Sequence, residues 1–209
     1  MTLNMLKNNV VKLIGVIASD LEFSHELYGE IFYESFIEIP RLSDTKDVLP
    51  ITISERLLMD GGVIKGDRVE IEGQFRSYNR SSDDGKNHLI LTVFVRDIRR
   101  LNVEDKVLNP NEIFLDGYIC KKPIYRKTPF GREISDILIA VNRAYNKSDY
   151  IPCIAWGRNA RFADKLKVGD HVKLWGRIQS REYIKRISEN ESVKKTAYEV
   201  SISKIQKSE

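Results

Sequence analysis

The chain has 209 residues, 42% hydrophobic and 31% charged, the balance of a soluble globular protein of one large domain or two small ones. No run approaches the roughly 18 apolar residues of a membrane span, and two cysteines, Cys120 and Cys153, are too few for a disulfide framework; a reduced cytoplasmic protein without membrane partners is expected. The net charge of +4 is unevenly spread: residues 1–103 hold 13 Lys and Arg against 16 Asp and Glu, and the remainder 21 against 14, or −3 and +7, which points to a polyanionic partner for the second half.

The N-terminal stretch MTLNMLKNNVVKLIGVIASD faintly resembles a signal peptide, with Lys7 and Lys12 around a short apolar run, but the run is short and its flanks are poor. VKLIGVI (11–17) reads better as a strand. IFYESFIEI (31–39) and DVLPITIS (47–54) follow as strands, then a short helical segment, SERLLMD (54–60), stopped by Gly62. RVEIEGQF (68–75) and HLILTVFV (88–95) are two more strands, joined through SSDDGKN (81–87), a hairpin signal. NVEDKVLNPNE (102–112) is a polar join, with Pro110 ending any regular element. The order then repeats: strands at IFLDGYI (113–119), ISDILIAV (134–141) and DYIPCIAW (149–156), a helix at NARFADKL (159–166), and strands at HVKLWGRI (171–178) and TAYEVSISKI (196–205).

The repetition is a sequence duplication. Shifted by 102 residues, Gly15 meets Gly117, Gly29 meets Gly131, Ile37 meets Ile139, Arg41 meets Arg143, Asp47 meets Asp149 and Pro50 meets Pro152. Shifted by 103, Gly66, Asp67, Val69, Gly73 and Ser77 meet Gly169, Asp170, Val172, Gly176 and Ser180. One register with a single one-residue slip implies tandem domains, 1–103 and 112–209, joined by 104–111. Five strands with a helix between the third and fourth predict an all-β fold with short helices: two tandem OB-folds, each a five-stranded Greek-key barrel.

The two copies differ where strand alternation turns side chains outward. Leu49, Ile51 and Ile53, and their counterparts Ile151, Cys153 and Ala155, form the expected core face; Val48, Pro50, Thr52 and Ser54 face out in the first copy, and Tyr150, Pro152, Ile154 and Trp156 in the second. Likewise Val69, Ile71 and Phe75 match core positions Val172, Leu174 and Ile178, and leave Trp175 outward where the first copy has Glu72.

Outward aromatics stack on bases without reading sequence, and Lys and Arg beside them neutralise phosphates. The second copy supplies Tyr145, Tyr150, Trp156, Trp175 and Tyr183, with Lys121, Lys122, Arg143, Lys147, Arg158, Arg177, Arg181, Lys185 and Arg186 as candidate phosphate ligands and Arg126 and Lys127 nearby. The stretch YIKRISENESVKK (183–195) reads as a long flexible loop able to wrap a ligand. Each residue also has a bland reading: an outward Trp can be an assembly contact, a Tyr an amphipathic surface residue, a single Lys or Arg a solvated charge. The cluster is more specific than its members. No catalytic constellation is present: His25, His88 and His171 lack metal-ligand spacing with the cysteines, and no phosphate-binding glycine loop or nucleophile elbow occurs. A non-enzyme without metal or cofactor is expected.

The second copy resembles the bacterial single-stranded DNA-binding proteins over residues 111–206, through NEIFLDGYICKKP, ILIAVNRAY, SDYIPCIAWGRNARFADKLKVGDHVKLWGRIQSREY and YEVSI. The resemblance implies base stacking at four places, which here hold Tyr145, Tyr150, Trp156 and Tyr183; the first copy has Ser43, Val48, Ser54 and Arg80. It also implies four barrels working together, hence a homodimer. The family's acidic, hydrophobic C-terminal tip has no counterpart in SISKIQKSE, so protein partners stay open. The expected function is sequence-tolerant binding of single-stranded DNA in replication, recombination or repair, with the first barrel serving assembly or weak binding. The alternatives are an OB-fold scaffold, a primosome-like protein-interaction module with weak DNA binding, and a single-stranded RNA binder.

Overall fold

The computed structural model describes residues 7–41, 43–59, 61–81, 85, 87–102, 104–105, 108–186 and 192–208, with backbone alone for Arg80, Ser81, Asn87 and Lys185. The first half contains β1 (Asn9–Ile17), β2 (Glu22–Leu27), β3 (Glu30–Pro40), β4 (Lys46–Ser54), a 3₁₀ turn (Glu55–Leu58), β5 (Arg68–Ser81) and β6 (Asn87–Arg100). β1 pairs with both β3 and β5, β3 with β4, β4 runs parallel to β6, and β6 pairs with β5, which closes a five-stranded ring. The second half repeats it with β7 (Asn111–Ile119), β8 (Ile124–Lys127), β9 (Glu133–Asn142), β10 (Ser148–Trp156), α1 (Arg158–Ala163), β11 (His171–Arg186) and β12 (Ser192–Lys207). Its ring is closed by β7 on β9 and β11, β9 on β10, β10 parallel to β12, and β12 on β11. This is the OB-fold connectivity, present twice.

Alternation puts the expected residues inside. Leu49, Ile51 and Ile53 fill the first barrel with Val69, Ile71 and Phe75; Ile151, Cys153 and Ala155 fill the second with Val172, Leu174 and Ile178. Burial pushes the Cys153 thiol far above its ordinary range, which leaves it a small core residue. The repeated glycines stand where strands converge to close each ring. A Cβ on Gly117 would lie 2.5 Å from the Ala140 carbonyl oxygen, and one on Gly73 2.5 Å from that of Phe94.

Three details depart from the sequence expectation. β2 and β8 are short, largely exposed arms on β3 and β9, whose sequences EFSHEL and IYRK lack clear alternation. Thr52 and Ser54, expected outward, are buried: Thr52 bonds to Thr92 of β6 at 2.9 Å, and Ser54 donates to Glu30. The stretch 183–195 is mostly strand, not loop, because β11 and β12 continue pairing from Tyr183 opposite Lys195 to Arg186 opposite Ser192; residues 187–191 lie outside those described. The SSDDGKN signal is bracketed by the Ser81–Asn87 pair, and 82–84 and 86 also lie outside the described residues.

The barrels are fused into one sheet of 12 strands by antiparallel pairing of β1 with β7, from Asn9 opposite Leu115 to Leu13 opposite Asn111. The seam is pseudo-symmetric. Asn9 exchanges both amide bonds with the backbone of Phe75 at 2.7 and 2.9 Å, and Asn111 does the same with Ile178. Two buried carboxylates clasp the barrels from either side. Asp149 accepts the backbone N–H of Ser77 at 2.8 Å and Arg143 at 3.2 Å, while the Tyr150 N–H donates to the Ser77 hydroxyl at 2.7 Å. Asp47 accepts the Ser180 N–H at 2.8 Å, Arg41, and Arg177 at 3.2 Å, while the Val48 N–H donates to the Ser180 hydroxyl at 3.1 Å.

The clasps differ in charge. Asp47 has Arg177 as a cross-barrel ion-pair partner; the position matching Arg177 beside Asp149 is Gln74. Burial holds the Asp149 carboxyl above its ordinary 3.8, against the opposing pull of the Ser77 N–H, of Arg143 and of the Arg76 charge from the first barrel. A raised carboxyl favours the folded state when protonated, so its contribution is complete below about 3.8 and is lost as pH rises through the folded value. Asp149→Asn keeps an acceptor for Ser77 and does not titrate. Urea midpoints measured from pH 3.5 to 7 are therefore expected to shift in favour of the Asn variant, relative to the parent, as pH rises; a pH-independent difference contradicts the assignment.

Candidate nucleic-acid interface

On β10 the outward row is Tyr150, Pro152, Ile154 and Trp156, directly opposite Ala140, Leu138, Asp136 and Ile134 of β9. Opposed residues share one face of the sheet, so the two aromatics bracket a single surface. Tyr150 is 47% exposed and Trp156 39%, and the Trp156 indole N–H donates to the Ser201 hydroxyl of β12 at 3.3 Å, pinning the ring edge to the neighbouring strand. Ile154 is buried between them, so the row is not uniformly open.

Tyr145 stands at the tip of the β9–β10 turn, which is closed by the Arg143 N–H donating to the Lys147 carbonyl at 2.7 Å. Tyr145 and Asn146 both have positive φ, 61° and 54°. A tight hairpin turn requires this hand, but a bulky residue adopts it at a cost. The consequence is a phenol ring 92% exposed. Tyr183 projects from β11 with the Arg181 guanidinium 5.9 Å from its ring centre. The fifth aromatic is placed differently: Trp175 is half-buried, packs on Phe114 with ring centres 5.1 Å apart, and has Lys204 over its ring at 4.5 Å.

The candidate cations fall into two groups. Lys121, Lys122, Lys147 and Arg158 are exposed and have no carboxylate partner among the described residues; Arg158 opens α1 directly after Trp156 and Gly157. Arg186 is exposed at the end of β11, and Lys185 precedes it opposite Val193. Arg143 and Arg177, expected as phosphate ligands, are instead engaged with the buried Asp149 and Asp47. Removing an arginine from a buried carboxylate leaves that charge uncompensated, so these two hold the clasp. Arg126 pairs with Asp136, and Arg181 with Glu199 at 3.5 Å.

The first barrel's aligned positions do not rebuild this surface. Ser43 bonds to Thr45, Val48 is 38% exposed, Ser54 is buried, and Arg80 is placed by its backbone on β5 opposite His88. The clasp residues escaped the sequence reading as functional positions. Their signal was already present: Asp47/Asp149, Arg41/Arg143 and Ser77/Ser180 are identities of the duplication, kept because each barrel applies the same contact to the other.

Residues 110–208, which include the second barrel, match the model of the Single-strand binding protein family. Single-stranded DNA-binding protein A of Bacillus subtilis is 35% identical over 80 residues, 35% of this chain and 46% of that protein; a single-stranded DNA-binding protein of Bacillus cereus gives the same identity over 47% of its length. The chain spans about half the length of the relatives it matches. The crystal structure of the single-stranded DNA-binding protein from Thermus aquaticus superposes with a TM-score of 0.77 at 18% identity, over 96% of this chain and 93% of that one, a likeness of fold.

The turn geometry carries its own test. Tyr145→Gly removes the Cβ from a left-handed position and is expected to raise folding stability by about 1 kcal/mol, read as a higher urea midpoint. A lower midpoint shows that the phenol ring contributes packing that outweighs the turn.

Proposed function

We propose that this chain is a non-enzymatic protein that binds single-stranded DNA with little regard to sequence, chiefly on the outer face of the second barrel, in replication, recombination or repair in the cytoplasm. The observation that supports it is the coincidence of stacking groups and unpaired cations. Tyr145, Tyr150, Trp156 and Tyr183 are all exposed on one barrel, and Lys121, Lys122, Lys147 and Arg158 on the same barrel lack carboxylate partners among the described residues. An aromatic platform holds any base, and free cations release counterions when they meet phosphates. The match to the single-strand binding family over residues 110–208 supports the same reading and favours DNA over RNA.

Titration with oligo-dT tests it. The protein is expected to bind single strands over duplex, with affinity falling as salt rises and tryptophan fluorescence quenched on binding. Trp156→Ala is expected to cost ~1–3 kcal/mol with the salt slope unchanged, because a stacking contact carries no counterion. Arg158→Ala is expected to flatten the slope by roughly 0.7, the share of one phosphate on a single strand. Duplex preference, or a Trp156→Ala variant that binds as the parent does, overturns the proposal and favours a protein-docking scaffold.

We also propose that the chain forms a homodimer, so that four barrels act together. The support is the resemblance to a family that works with four barrels, set against two barrels per chain. Light scattering at micromolar concentration is expected to give about twice 24.2 kDa; a mass of 24.2 kDa overturns it.

A further inference from the structure

The duplication inverts charge at one place. Residues 20–30 and 122–132 build the same element, an exposed arm and the turn that leads it into the next strand: β2 into β3 in the first barrel, β8 into β9 in the second. The first stretch carries four carboxylates, Asp20, Glu22, Glu26 and Glu30, and no Lys or Arg. The second carries four cations, Lys122, Arg126, Lys127 and Arg132, and no Asp or Glu. At the shift of 102 residues Asp20 meets Lys122 and Glu30 meets Arg132. These two stretches hold eight of the ten charge units by which the halves of the chain differ.

Most of that charge has no internal partner. Glu30 is engaged by Ser54 and Arg56, and Arg126 by Asp136. Asp20, Glu22 and Glu26 on one arm, and Lys122, Lys127 and Arg132 on the other, are exposed, with no side-chain partner among the described residues. Glu22 lies directly opposite Glu34 of β3, a like-charge pair that is unfavourable until a cation covers it. Lys127 lies opposite Glu133, which Tyr125 and Arg161 already hold. Among the described residues no bond joins the two arms within the chain, and β2 and β8 are the two ends of the strand order.

Both turns also present an aromatic to water. Tyr28 and Phe130 are aligned by the duplication and are 98% and 92% exposed. Tyr28 has a φ of 52° ahead of Gly29 at 76°, in the two-residue turn between Leu27 and Glu30. That hand suits a hairpin, but a bulky residue adopts it at a cost, and this ring gains no packing inside its own chain. Phe23, Leu27 and Ile124 add exposed apolar surface behind the tips.

We infer that the two arms form an interaction surface between copies of this chain, the acidic β2 arm of one seating against the basic β8 arm of another, with Tyr28 and Phe130 covered in the contact. Like charge keeps each arm from a second copy of itself, whereas unlike charge draws the two kinds together. Each chain carries one arm of each kind, so the contact is heterologous, and a chain whose acidic arm is engaged still offers its basic one. Exposed ion pairs are individually weak and are screened by salt, so the association belongs to high protein concentration and low ionic strength. It rests on neither the single-strand binding nor the homodimer proposed above.

The test uses the full chain without DNA. In about 20 mM salt the weight-average mass of the parent is expected to climb as protein rises from micromolar to submillimolar, and in about 300 mM salt, where screening is strong, to stay at its micromolar value. Glu22→Lys with Glu26→Lys, and separately Lys127→Glu with Arg132→Glu, are each expected to abolish the climb. An equimolar mixture of the two variants is expected to restore it, because one keeps the basic arm and the other the acidic arm. A parent whose mass is flat in low salt overturns the inference, as does a mixture no heavier than its components; neither result bears on the homodimer, whose mass is read at micromolar concentration. Should a variant fail to fold, carbodiimide coupling of the parent decides. In a mixture of isotopically light and heavy chains, Glu22 or Glu26 is expected to couple to Lys122 or Lys127 in light–heavy pairs in low salt, and the absence of such pairs overturns the inference.

Discussion

Everything in this molecule hangs on the five-residue pairing of β1 with β7. A strand edge left open is a hazard in water, and each barrel has one at its first strand. Covering one with the other puts the two edges inside a continuous sheet. The approximate two-fold axis of that seam then fixes the rest. Asn9 and Asn111 lock each first strand to the backbone of its own fourth strand, and Asp47 and Asp149 reach across to the backbone of the opposite barrel. The outer ends of the sheet are β2 and β8, short strands bearing Glu22 and Glu26 or Arg126 and Lys127, which discourage further pairing.

The clasp also sorts the arginines. A buried carboxylate must be compensated, so Asp47 and Asp149 take Arg41, Arg177 and Arg143 out of circulation. Exposed cations left without carboxylates among the described residues, such as Lys121, Lys122, Lys147 and Arg158 of the second barrel, are those available to an external anion. The same seam sets Tyr150 beside Ser77 and so brings the two outer faces together.

The backbone irregularities lie at turn tips and bulges: Tyr28 in the β2–β3 turn has positive φ, and pairing slips at Phe23/His25 and Trp175/Gly176 as well as at Glu72/Gly73. Tyr145 holds a left-handed backbone at a turn tip, and Arg96 occupies a bulge. The core beneath them is regular, with alternating Ile, Leu and Val closing two rings around Phe75 and Leu174. The chain thus keeps a rigid scaffold and places its irregularities on the outside.

The sequence by itself determined the duplication, the five-strand order, the core alternation and the four aromatic positions of the second barrel. These are local or periodic properties: a strand's pattern is written in every second residue, and a duplicated chain carries its register as identities. It also held the clasp, as Asp47/Asp149 and Ser77/Ser180, without revealing what those identities contact. Only the tertiary structure decided that Arg143 and Arg177 face buried aspartates, that Trp175 packs on Phe114 under Lys204, and that the Arg76 guanidinium lies over the Phe94 ring. Each depends on residues tens of positions apart meeting across a seam or a bulge. The pairing of β1 with β7 and the slip at Arg96 are contacts between strands, and no periodicity within one strand encodes them.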